Sequence, residues 1–307
     1  MRTAFVEALC EAAQLDDRIW LLTADLGYSV LEAFAQRFPR RYLNVGVAEQ
    51  NMAGIAAGLA HSGKLPCIYS IANFPTLRCL EQLRNDICHH QANVKIVAVG
   101  GGYVYGPQGY SHHGIEDLAI LRALPGMTVV APADPVEARL ATRAICVHAG
   151  PCYLRLGHAR EPVLHSAPPA FELGRAIQVR AGRALTLIST GGMLQSTLAV
   201  AERLAAEGSA PRVLSMHTVK PLDEQAVLRA AAETGGIVSV EEHSVTGGLG
   251  SAIADVLAVS GCRVGFFRKF GIPDRVAHEV GSREHLLGLC GDLYGLARAS
   301  ARQTSAA

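Results

Sequence analysis

The 307-residue sequence has no apolar run long enough to cross a bilayer, and its opening segment, MRTAFVEALCEAAQLDD, is too polar for a secretory leader. Charge is sparse and balanced: 28 Lys and Arg stand against 27 Asp and Glu, and charged residues make up only 18% of the chain. That balance offers no electrostatic footing for nucleic acid or for an anionic membrane. None of the eight cysteines belongs to a Cys-x-x-Cys pair, and most lie in apolar stretches. Buried free thiols in a reducing cytoplasm are therefore expected, with neither a disulfide framework nor a cysteine metal site. Internal repeats and low-complexity tracts are missing too. What the chain has in quantity is apolar material, 50% of its residues, which is enough for buried cores and too much for a disordered polymer.

That material is arranged as short β-rich runs alternating with helix-length amphipathic runs. Strands are expected at Ile19–Ala24, Tyr42–Val45, Cys67–Ile71, Val94–Val99, Thr128–Ala131 and Cys152–Leu156, and helices near Arg2–Gln14, Gln50–His61, Leu77–His90, Glu116–Leu124 and Pro135–His148. The alternation predicts an α/β fold, a mostly parallel sheet covered by helices on both faces. Asp134-Pro135 reads as an N-cap followed by proline at the first helical position. Across residues 161–183 prolines break the rhythm, and a linker leading into a hairpin-like start is expected. A second series follows: strand Leu185–Thr190, helix Leu194–Glu207, strand Arg212–Met216, helix Glu224–Thr234, strand Gly236–Glu241, helix Ser251–Val259 and strand Arg263–Phe267. The final ARASARQTSAA is small and polar and is expected to fray. Two α/β domains result, residues 1–160 and 184–307.

The densest chemistry lies in Tyr42–Ala60, YLNVGVAEQNMAGIAAGLA. An apolar strand ends at Gly46, and Glu49 appears as the chain turns into a small-residue helix. An acid in a first helical turn ordinarily does no more than compensate the helix dipole. Here the preceding strand is apolar, and Ala53, Gly54, Ala56, Ala57 and Gly58 leave room for another backbone or a ring. A carboxyl group held there is poorly solvated and suits sharing a proton with a ring nitrogen. His112 and His113 close a glycine-rich loop, GGGYVYGPQGYSHHG, which leaves the strand VKIVAVG. Two solvated loop histidines are the plain alternative. The position favours a ligand, because open α/β sheets bind at the C-terminal edge of their strands. The turn Gly247-Gly248-x-Gly250 would either cradle an anion at a helix N-terminus or only make a tight strand–helix connection, and no ligand is assigned to it.

Read in order, GVAEQNMAGIAAGLA, YSIANFPTLRCLEQLRNDI, GYSHHGIEDLAILRALPGMTVVAPAD and PCYLRLG resemble successive blocks of the pyrimidine-binding domain of the transketolase family, and VKPLD and SVEEHSVTGGLGSAIADVL resemble its C-terminal domain. The ordered combination, more than any one block, carries the resemblance. It implies a thiamine-diphosphate (ThDP) enzyme with each domain built as a mostly parallel sheet flanked by helices. Glu49 matches the acid that hydrogen-bonds a ring nitrogen of the cofactor's aminopyrimidine and so promotes deprotonation of the thiazolium carbon. Phe74 matches an aromatic packed on that ring, and Ile71 replaces the first aromatic of the family's Phe-x-x-Phe pair. His112 matches the histidine that binds a substrate hydroxyl, and Arg155 matches an arginine that holds a distal phosphate. Arg2 and residues 23–25 are expected to border the substrate channel.

The family holds the cofactor's diphosphate through Mg²⁺, using Gly-Asp-Gly and a downstream Asn. No Gly-Asp-Gly occurs here. The resemblance therefore implies a partner subunit carrying that motif and the Mg²⁺, an α2β2 assembly, and one active site made from two chains. Two substrate positions depart from the pattern: Gln108 stands where transketolases carry an acid, and Gly100 where they carry a phosphate-binding histidine. The expected activity is transfer of a two-carbon ketol unit between sugars. The alternatives are another ThDP carbon–carbon bond-forming enzyme, of the deoxyxylulose-phosphate-synthase or 2-oxoacid dehydrogenase E1 β type, and a catalytically silent scaffold subunit.

Overall fold

The computed structural model describes residues 1–158, 161–276 and 278–305. The first half forms β1 (Ile19–Thr23), β2 (Tyr42–Asn44), β3 (Leu65–Ile71), β4 (Lys95–Val99), β5 (Thr128–Val130) and β6 (Cys152–Leu156), all paired in parallel. Every residue of β4 and β6 is buried, which is what a strand covered on both faces requires. One face is covered by α3 (Glu49–His61), α4 (Leu80–Gln82) with the turn that follows it, and α5 (Asp117–Ala123), which bring Met52, Ala56, Leu83, Leu118 and Leu121 into a common core. The opposite face is covered by α1 (Arg2–Leu15), α2 (Glu32–Arg37) and α6 (Pro135–Val147), which contribute Phe5, Leu9, Phe34, Ala138 and Ile145. Asp134 does cap α6, its Oδ1 accepting from Glu137 N at 2.8 Å.

The second half builds a five-stranded sheet in the order β12-β11-β8-β9-β7. Its strands are β7 (Ile177–Arg180), β8 (Thr186–Ser189), β9 (Arg212–Ser215), β11 (Ile237–Ser244) and β12 (Phe267–Ile272). Helices α7 (Leu194–Ala206) and α11 (Leu293–Ser305) pack on one face, and α8 (Glu224–Glu233) and α9 (Leu249–Ser260) on the other. A short α10 (Arg283–Gly288) lies between β12 and α11. β10 (Thr218–Lys220) leaves this half altogether and joins the first sheet antiparallel to β5, which makes that sheet seven-stranded, β10-β5-β6-β4-β3-β1-β2.

Several expectations need correction. The expected hairpin-like start fails: β7 pairs antiparallel with β9, not with β8. The last strand begins at Phe267, where Arg263–Phe267 was expected to end. Residues 77–90 yield only the short α4 followed by a π-helical turn, Leu83–Cys88. The tail does not fray at residue 297: Ala297, Ser300 and Ala301 are buried within α11. Ala306 and Ala307 lie outside the described residues.

Candidate active site

The C-terminal ends of β1 to β4 and the loops that leave them gather the sequence-predicted residues. At the end of β2, Asn44 Oδ1 accepts from the backbone N–H of Asp25 (2.9 Å) and of Gly46 (3.0 Å). Gly46 has φ 71°, a left-handed turn that glycine adopts without a Cβ penalty. The turn delivers Glu49 as the first residue of α3, where its side chain is 2% exposed. Across the β1 loop, Asp25 (φ 55°) and Ser29 (φ 59°) are non-glycine residues in the left-handed region, the kind of local strain that gathers at functional edges.

From β3 the chain passes Ile71 into a loop carrying Phe74 and Arg78. Arg78 Nη1 donates to Glu49 Oε2 at 2.7 Å, and its guanidinium carbon lies 4.2 Å from the centre of the Phe74 ring. From β4 comes the glycine-rich loop. Asn73 Nδ2 staples it down by donating to the carbonyls of His113 (2.7 Å) and Ser111 (3.2 Å). His112 meets the Phe74 ring edge to face, centroids 5.3 Å apart, and its Nδ1 lies 3.0 Å from Ser111 Oγ. Burial lowers the pKa of His112, helped by His113 and Arg78, so its imidazole is neutral at neutral pH. A cavity of about 260 Å³ opens here, lined by Asn73, Phe74, Leu77, Arg78, Tyr110, Ser111 and Glu116. Burial raises the pKa of Glu116, while the Tyr110 hydroxyl donates to its Oε1 at 3.0 Å.

Glu49, Phe74 and His112 thus come together. Ile71 sits just behind, its carbonyl accepting from Phe74 N at 2.8 Å. His113 is fully buried against Tyr103 and Tyr110. Gln108 is exposed in the turn Gly106–Gln108. Gly100 is covered by Tyr105, and a Cβ there would run into that ring. Tyr105 in turn lies between His112 (6.3 Å) and His158 (5.2 Å), and Arg2 Nε donates to the His158 carbonyl at 2.8 Å. Thr23 is buried and donates to the carbonyls of Leu26 (2.8 Å) and Tyr69 (3.3 Å).

Arg155 is placed otherwise. It is 5% exposed, with Nε and Nη2 on Asp117 and Nη2 also on the carbonyls of Gly114 (2.6 Å) and Glu242 (3.0 Å). It lines a second cavity, about 450 Å³, between the two sheets, together with His158, Gly191, Glu242 and Arg283. Those contacts take up Nε and Nη2, so only Nη1 is left as a donor for a phosphate. The glycine turn at residue 247 is also spoken for. Glu241 accepts from the backbone N–H of Leu249 (2.6 Å) and Gly250 (2.8 Å), so a side chain of the preceding strand fills the N-terminus of α9. Burial pushes the pKa of that carboxyl up to about 7.

Sequence reasoning missed Arg78 and Tyr105. Arg78 lies within the FPTLR block, but its pairing with Glu49 spans 29 positions and leaves no local trace. Among the described residues no group of three or more His, Cys, Asp or Glu could hold a metal ion, and no helix is long and apolar enough to cross a membrane.

Residues 1–160 match the family model for the transketolase pyrimidine binding domain, and residues 174–291 match that for the transketolase C-terminal domain. The chain belongs to the transketolase family. This transketolase chain is 42% identical over 287 residues to the 6-deoxy-6-sulfo-D-fructose transketolase subunit SqwH of Clostridium sp. (strain MSTE9), covering 93% of this chain and 88% of that one. It is 39% identical over 275 residues to an apulose-4-phosphate transketolase subunit of Phocaeicola vulgatus, covering 89% and 87%. A solved split gene transketolase, described as an inactive beta4 tetramer, superposes with a TM-score of 0.89 at 38% identity over 99% of this chain and 97% of that one.

Proposed function

We propose that this transketolase chain is the C-terminal subunit of a two-component ThDP-dependent enzyme that moves a two-carbon ketol unit between sugars. The observation that carries the reading is Glu49: a carboxylate 2% exposed in the first turn of α3, joined through Arg78 to the Phe74 ring that lines the cavity beside it. A buried acid beside an aromatic face fits an aminopyrimidine, which needs a proton partner at a ring nitrogen and a flat surface to lie on. When bound, the cofactor supplies the carbanion chemistry. The chain's own residues hold its ring at Glu49 and Phe74 and offer the imidazole of His112 to a substrate hydroxyl.

The diphosphate and its Mg²⁺ are assigned to a partner subunit with Gly-Asp-Gly and a downstream Asn. Two relatives named as transketolase subunits support a two-chain enzyme, and an α2β2 assembly in the cytoplasm is our reading for this one. Residues 1–160 are proposed as the pyrimidine-binding domain, 161–183 as linker and 184–307 as the C-terminal domain. Gln108, Arg2 and His112 are proposed on the substrate side. Arg155 stands behind them as a tie between sheets. Reconstitution tests the reading. The chain alone, with Mg²⁺ and ThDP, is expected to bind cofactor weakly and turn nothing over, and adding the partner is expected to restore both. Full activity from the chain alone would overturn it.

A further inference from the structure

In the free chain a single side chain makes both contacts that the proposed function assigns to the cofactor's ring. Arg78 donates from Nη1 to Glu49 Oε2 at 2.7 Å, and its guanidinium carbon lies 4.2 Å from the centre of the Phe74 ring. A guanidinium is planar, carries its N–H donors at the rim and stacks on aromatic faces. It therefore gives Phe74 a flat surface and Glu49 a donor at the same time, as an aminopyrimidine would. A ring stacked on that face of Phe74 and bonded to Glu49 would need the place the guanidinium now takes, so the seat does not hold both. The two partners differ in freedom: Glu49 is 2% exposed, whereas Arg78 is 44% exposed. A carboxylate that deep is costly to leave without a partner, while the arginine has solvent to swing into.

We propose that Arg78 is a placeholder for the cofactor ring, resting on the assignment of Glu49 and Phe74 above. On the unpartnered chain it occupies the ring's seat and keeps the buried carboxylate compensated. It leaves when the ring arrives. Exchange of a cation for a neutral ring also releases Glu49 from a full salt bridge, and only then is its carboxyl group available to share a proton. A chain whose seat is filled by its own arginine binds the ring with an affinity reduced by the fraction of time the seat is open.

The test is calorimetric titration of the free full-length chain with thiamine and with the bare ring, 4-amino-5-hydroxymethyl-2-methylpyrimidine. Arg78→Ala is expected to bind both at least about tenfold more tightly than wild type. Arg78→Gln keeps a donor for Glu49 but no cationic stack; it is expected to gain as well, and it serves if the alanine variant fails to fold. Melting temperatures are followed in parallel, and a variant that is weakened alone but restored by thiamine supports the placeholder. Folded Arg78 variants that bind no tighter than wild type would overturn it. So would a loaded two-chain complex in which Arg78 still sits on Glu49. Glu49→Gln separates the two ideas. If it binds the ring as wild type does, the site assignment itself fails; if it binds more weakly while the Arg78 variants gain nothing, only the placeholder fails.

Discussion

Asp117 and Arg155 meet at 2.8 Å in the seam between the two sheets, both almost fully buried. Asp117 also takes the hydroxyl of Tyr153 at 2.5 Å, and Arg155 reaches across to the Glu242 carbonyl. Glu242, in turn, receives Arg283 Nη2 at 2.6 Å and the backbone N–H of Tyr103 at 2.9 Å. The seam is thus a polar chain running from α5 through β6 to β11 and α10. Removing one member leaves a buried charge without its partner.

Asp117→Asn is accordingly expected to cost about 3–5 kcal/mol of folding stability, read by denaturant unfolding, while Arg155→Lys costs less. If Arg155 instead served a substrate phosphate, Arg155→Lys would raise KM for phosphorylated sugars and leave unfolding unchanged. That outcome would return Arg155 to the role the family resemblance implied.

Glu49→Gln keeps the shape of the side chain but offers no acidic proton. In the two-chain complex, hydrogen–deuterium exchange at the cofactor's reactive carbon is expected to slow by roughly 10²–10⁴-fold, with little change in assembly. An unchanged exchange rate would remove Glu49 from the chemistry.

The substrate end is unusual. Tyr105 fills the space over Gly100, where the family resemblance implies a phosphate-binding histidine, and Gln108 is a neutral amide where it implies an acid. His158, beside Tyr105, has its pKa lowered by burial and by Arg2, so it adds no full charge at neutral pH. A charge-assisted hydrogen bond is worth about 1.5–3 kcal/mol, so losing one weakens a phosphorylated sugar roughly ten- to a hundredfold. Ordinary pentose phosphates are expected to be poor substrates, and a modified, shorter or differently charged sugar the good one. A panel of specificity constants on the reconstituted complex decides this. Ribose 5-phosphate and xylulose 5-phosphate turning over as well as any alternative would refute it.

His217 predicts a pH dependence. It is fully buried and stacked on Phe171 at 3.9 Å, with Glu137, Asp223 and His165 around it. Burial pushes its pKa down to about 4, although the two carboxylates pull the other way. Between pH 6.5 and 4 the unfolded chain takes up a proton that the folded chain refuses. His217 therefore destabilises the fold as pH falls through that window, by roughly 3 kcal/mol in all. Glu241, pushed up to about 7, acts in the opposite sense: its contribution is present in acid and is lost as pH rises through 7. Comparing urea unfolding of wild type with His217→Gln isolates the first effect. The wild type should lose ground to the variant as pH drops from 6.5 to 4. Parallel curves would show that His217 does not titrate as its burial demands.

The six parallel strands of the first sheet were legible because they are mostly apolar and alternate with helix-length runs. Glu49 was legible because an acid at the end of an apolar strand is chemically conspicuous. The misses share a physical cause. α11 buries Ala297, Ser300 and Ala301, a face of small residues that a hydrophobicity pattern does not register. β12 is an edge strand whose FRK segment is at most half-buried, so it lacks the apolar signature of its neighbours. β10 is three residues long and is defined only by a partner about 90 positions earlier, Val129 beside Lys220 in the pairing. Arg78 belongs to the same class: what it does is fixed by a residue on another element.

β10 also sets an order of events during synthesis. Until residue 220 has left the ribosome, β5 ends the first sheet with an open row of N–H and C=O groups, and the carbonyls of Arg122 and Leu124 lack the Lys220 ammonium that later ties them down at 2.8 and 2.5 Å. The pyrimidine-binding half is thus completed by its successor in the chain. A nascent chain paused between the halves would present an unprotected edge to its neighbours on the same message, so pairing between chains competes with folding for as long as the pause lasts.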